Sequence, residues 1–129
     1  MSDAGVFLDK ARESLESAED DFAKQRYNVC ARNAYYAAFQ AAVAALLIEG
    51  IRPSGQWSHD FVRAEFAGRL IYRRKVYDSS YRAVLMEAAE KRVDADYTTR
   101  SLRERDVNKM MREIRGLVAA VEARLRGDR

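Results

Sequence analysis

The chain has 129 residues, a formal net charge of +3, 48% hydrophobic and 33% charged residues, one cysteine and one histidine. That size suits a single domain over residues 1–129, and an apolar content near one half excludes a disordered chain. One cysteine excludes a disulfide framework or thiolate zinc cage and suits a reducing cytosol, and one histidine excludes any one-chain site that needs two imidazoles.

The single proline and six glycines argue against a many-turned all-β architecture, and the apolar spacing predicts five helices. The first spans about Asp3 to Lys24, with Leu8, Ala11, Leu15, Ala18 and Phe22 on one face and Asp3 as the expected cap. The second, about Arg26 to Ile48, contains the run AYYAAFQAAVAALLI at 34–48, broken only by Gln40. This run is shorter than the ~20 residues a bilayer span needs, so it reads as a central helix covered by protein. Gly50 ends it, and the stretch to Gly55, with the only proline, is the clearest loop. A third helix is expected from near Ser58, with Phe61, Val62, Phe66 and Leu70 inward. The fourth, from about Ser79, places Tyr81, Val84, Leu85, Ala88 and Arg92 on one face. The fifth opens with Ser101 and Glu104 in capping-box spacing and carries a stripe of Val107, Met110, Met111, Ile114, Leu117, Val118, Val121 and Leu125. Short connections between such helices predict an all-α fold, an antiparallel four-helix bundle with a short additional helix. The chain does not open with a basic stretch and an apolar run, so no signal peptide and no membrane partner are expected, and the implied location is cytoplasmic.

Charge is unevenly spread. Residues 1–24 carry seven acids against three bases, whereas 52–75 holds Arg52, Arg63, Arg69, Arg73, Arg74 and Lys75 against only Asp60 and Glu65. The basic patch of Arg63, Arg69, Arg73, Arg74 and Lys75 is compatible with an RNA or acidic-protein partner, and equally with a solvated helix face.

Arg92 is the most informative residue. It follows Tyr81, Leu85 and Ala88 by eleven, seven and four positions, on the buried stripe of its own helix. A guanidinium there needs a partner or a water-lined cleft. Asp96, four residues on, is the nearest carboxylate, and Tyr97 adds a phenol. One reading is an Arg–Asp pair tying the helix end to the bundle. The other is a polar pocket or subunit contact around Arg92, Asp96 and Tyr97, joined by Asn33 and Tyr36. Buried tyrosines at 35 and 36 must in any case place their hydroxyls. His59, at a helix start near Trp57, is expected to be neutral, either packed structurally or available as a base. Cys30 reads as a packed core thiol. No glycine-rich phosphate loop or nucleophile elbow is present, and neither cofactor nor metal is expected.

The segments RNAYYAAFQAAVAALL (32–47), RPSGQWSHDF (52–61), LIYRRKVY (70–77) and RVDADY (92–97) resemble, in order, the HEPN family. The likeness is to its small stand-alone bacterial branch, with the signature Arg, two residues, Ala-Asp-Tyr. The resemblance implies a helical bundle, usually a homodimer, often paired with a minimal nucleotidyltransferase in a toxin–antitoxin-like module. Many members are metal-independent ribonucleases whose motif is Arg, four to six residues, then His, with two copies meeting at the dimer interface. Here the positions after Arg92 that would hold the histidine read Tyr97, Thr98 and Thr99. The related toxins silenced by adenylylation carry a tyrosine two residues past that histidine, where this chain has Thr99. Arg52 and His59 satisfy the bare spacing across a Pro/Gly loop, which cannot present both on one helical face. A missing general acid or base removes a factor of ~10²–10⁴ in rate. Three readings follow. The leading one is a non-catalytic, dimerising subunit that pairs with a nucleotidyltransferase-like partner. The alternatives are a ribonuclease with an altered site, drawing on Arg92, Asp96, Tyr97 and His59, and an RNA- or nucleotide-binding module using the basic block.

Overall fold

A computed structural model describes residues 2–127. Its order is α1 (Asp3–Ala23), α2 (Tyr27–Ile48), α3 (His59–Glu65), a π-helix (Phe66–Arg73), α4 (Tyr81–Tyr97) and α5 (Glu104–Leu125). No strand occurs among the described residues, in accord with the all-α expectation.

Helix α2 is the axis of the fold. Its alanines let α1, α4 and α5 approach closely, and every residue from Ala41 to Leu46 is fully buried. Apolar on nearly all sides, such a helix is stable only when covered. At its end Gly50 takes a left-handed φ of 77°, and the Ile51 amide donates to the Leu46 carbonyl at 2.9 Å, a glycine-terminated stop. Helix α5 lays Val107, Met110, Met111, Ile114, Leu117, Val118 and Val121 into the core. Leu125, expected on that stripe, is instead 40% exposed at the helix end.

Three local expectations are corrected. The α1 cap is Ser2, whose Oγ accepts from the Gly5 amide at 3.1 Å, while Asp3 pairs with Arg52 at 3.0 Å. The Ser101/Glu104 capping box does not form. Helix α5 begins at Glu104 itself, preceded by Arg103, with no side-chain cap, and Glu104 and Asp106 supply acid to the exposed amides. The expected third helix is two pieces. Ser58 caps α3 through the Phe61 amide at 3.0 Å, and after Glu65 the chain widens into the π-helix, burying Phe66, Leu70 and Ile71. An i→i+5 turn brings Phe66 and Ile71 to one face, which α-helical spacing would not.

Candidate functional site

The polar residues singled out in the sequence lie mainly along the seam between α2 and α4. Arg32, Tyr35, Tyr36 and Phe39 follow one another by three, one and three residues, so helical geometry puts them on adjoining parts of one α2 face. From α4, Arg92 reaches this face. Its guanidinium carbon lies 5.0 Å from the Tyr35 ring centroid and 6.0 Å from that of Tyr36, and Nη1 donates to the Tyr36 hydroxyl at 3.3 Å. Its Nε is buried without a hydrogen-bond partner. The aromatic faces therefore carry much of the electrostatic compensation for this cation.

Asp96 does not serve Arg92, contrary to the local-pair expectation. Its Oδ1 accepts from Arg32 Nε at 2.9 Å and Arg32 Nη2 at 2.7 Å. Two donors on one oxygen, from a neighbouring helix, outcompete the single partner four residues back. Tyr36 joins the cluster as expected, but two other residues do not. Asn33 turns to α1, where its Nδ2 donates to Asp21 Oδ2 at 2.9 Å, and Tyr97 stands 74% exposed.

His59 joins the cluster through Tyr35. The Tyr35 hydroxyl and His59 Nδ1 share a hydrogen bond, and the imidazole packs on Phe39 with centroids 4.5 Å apart. Burial, with Arg92 and Arg63 close by, holds the imidazole below its usual range, and burial also keeps the Tyr35 phenol protonated. A neutral ring whose Nδ1 is engaged has only its Nε2 edge left for chemistry. Cys30 is buried in the core, which pushes its thiol up to about 11.

The basic patch divides into paired and unpaired members. Arg63 pairs with Asp60 at 2.8 Å, Arg69 with Glu65 at 2.6 Å, and Arg74 donates to the Glu49 carbonyl at 3.1 Å. Arg73 and Lys75 have no ion pair among the described residues. Among those residues, no three His, Cys, Asp or Glu side chains gather in a metal-holding group.

Sequence reasoning missed Arg32, Asp21 and Phe39 as members of these networks. The Arg32–Tyr36 spacing of four was the available signal for Arg32. Nothing local marks Asp21, a carboxylate 7% exposed whose partner lies on α2.

A helical bundle with an arginine–tyrosine–aspartate cluster along one inter-helix seam defines the class. The HEPN domain family matches residues 4–124, and the chain belongs to that family. Comparison with curated proteins gives no match. Among the described residues no helix is long and apolar enough to cross a membrane.

Proposed function

We propose that this HEPN-family chain is a non-catalytic subunit that dimerises and pairs with a nucleotidyltransferase-like protein in a toxin–antitoxin-like module. The observation that carries the reading is the setting of Arg92. Its guanidinium is taken up by Tyr35 and Tyr36, and the one histidine within reach of that cluster is tied to Tyr35. The positions after Arg92 where the family's ribonucleases hold a histidine read Tyr97, Thr98 and Thr99, whose hydroxyls are poor proton-transfer groups near neutral pH. The nucleotidyltransferase-like partner is supported by the family resemblance.

Support for self-association comes from α4. Met86, Val93 and Tyr97 are 50%, 44% and 74% exposed and follow one another by seven and four residues, which makes an outward apolar stripe. Beside Met86 lies a depression of about 250 Å³ lined partly by Phe66, Ala67 and Leu85. If two α4 helices cross antiparallel about a two-fold axis, Tyr97 of the partner subunit lies opposite the Met86 end, and the patch is self-complementary. A second copy is therefore the occupant proposed for this face. Light scattering should give a dimer for the wild type and a monomer for Val93→Glu. Co-expression with a minimal nucleotidyltransferase, where one is encoded beside this chain, should give a co-eluting complex. A wild-type monomer, or failure to co-elute, contradicts the corresponding part of the reading.

An altered ribonuclease is the competing reading, favoured by one observation: Arg92 and His59 both abut Tyr35. Metal-independent RNA cleavage by the purified chain would promote it.

A further inference from the structure

Where the π-helix ends, several features coincide that neither the bundle nor the Arg92 cluster requires. The Arg74 amide closes the wide turn on the Arg69 carbonyl at 2.9 Å, and Lys75 then adopts a left-handed φ of 53°. For a residue with a side chain that conformation is uncommon, and it lets the chain reverse so that Tyr77 packs on Phe66, centroids 5.4 Å apart. The turn leaves an open cleft of about 600 Å³ lined by Ile71, Tyr72, Lys75, Tyr77 and Ser79. Tyr72 is 79% exposed beside it. Lys75 lines the same cleft and Arg73 adjoins Tyr72 in the chain, both without ion pairs among the described residues, whereas Arg63 and Arg69 in the same basic block are neutralised. The carboxylate nearest in the chain, Asp78, accepts from the Ser80 amide at 2.9 Å.

We propose that this surface is a contact site for single-stranded nucleic acid, with a base stacked on Tyr72 and the adjoining phosphates held by Arg73 and Lys75. An exposed aromatic face close to unneutralised cations is the arrangement that such strands use, because every base has a π-face and every linkage a negative charge. An aliphatic protein partner would have no use for the two unneutralised cations. An acidic peptide would have none for the exposed ring. The site is separate from the polar seam: along α4 alone, Tyr81, two residues past the cleft-lining Ser79, and Arg92 are about 16 Å apart. The proposal does not depend on the dimer or on the nucleotidyltransferase-like partner.

The test is fluorescence anisotropy of a labelled 12-nucleotide single-stranded RNA, the same sequence as DNA, its duplex, and polyglutamate, at low salt. The wild type should bind a single strand more tightly than the duplex or polyglutamate, and the RNA and DNA arms show whether the sugar matters. Tyr72→Ala should weaken binding about 5- to 140-fold and Tyr72→Trp should retain it. Replacing Arg73 and Lys75 with Gln should each lower the slope of log affinity against log salt by about 0.7. Arg105→Gln, a charge loss on α5, serves as the control and should change affinity little. Tyr72 is mostly solvent-exposed, so its variants should fold, which circular dichroism checks. The proposal is overturned if no single strand binds, if Tyr72→Ala binds like wild type, if Arg105→Gln matches the Arg73 effect, or if polyglutamate or the duplex binds as well.

Discussion

Arg32 on α2 and Asp96 on α4, sixty-four residues apart in sequence, are joined by two hydrogen bonds to one carboxylate oxygen. This pair fastens the end of α4 to the central helix and leaves Arg92 to the tyrosines. Because the Arg32 side chain is 43% exposed, solvent screens the interaction. A double-mutant cycle on Arg32 and Asp96 should give a coupling of about 1 kcal/mol. The same cycle on Arg92 and Asp96 should give the smaller value. The opposite order would restore the local pair.

Arg92→Ala should destabilise the fold by about 2 kcal/mol, the scale of a desolvated cation–π contact. It also leaves the Tyr36 hydroxyl without its donor. Arg92→Lys should recover part of the loss, since an ammonium can face a ring but lacks the planar fork. Urea unfolding of the three proteins checks both statements.

Tyr77 carries a hydroxyl buried with no hydrogen-bond partner. Removing it relieves an unpaired polar group, so Tyr77→Phe should raise stability by about 1 kcal/mol. A loss of stability would mean that the hydroxyl has a partner after all.

His59 gives the fold an acid sensitivity with a definite sign. Its folded-state pKa lies below the ordinary imidazole value of 6.5, with burial the largest cause and Arg92 next. The unfolded chain therefore takes up this proton first as pH falls. The contribution of neutral His59 is fully present above about pH 6.5 and is lost on acidification until the folded form also protonates. Between pH 7 and 5 the wild-type melting temperature should fall more steeply than that of His59→Phe. Parallel curves would remove His59 as the cause.

The long helices are legible in the sequence because period-3.6 patterning marks α1 and α5, and continuous apolarity marks α2. The π-helix is not, since Val62, Phe66 and Leu70 fit ordinary α spacing and only burial of Ile71 beside Phe66 reveals the wider turn. Leu125 sits on the α5 stripe, but at the helix end it is only partly covered. The capping box fails because Glu104 is the first helical residue and not the third. At the seam, the buried stripe picks out Arg92 and Tyr36. The true partner of Asp96 is set by how α2 and α4 pack, which no local spacing encodes.

The central claim is that Arg92 holds the α2–α4 seam together and does not act on a substrate. A metal-free RNA-cleavage assay on wild type and Arg92→Ala, with thermal unfolding of the same samples, tests it most directly. The account predicts no cleavage by either protein and a clearly lower melting temperature for Arg92→Ala. Cleavage by the wild type that disappears in an Arg92→Ala protein of unchanged stability would contradict it.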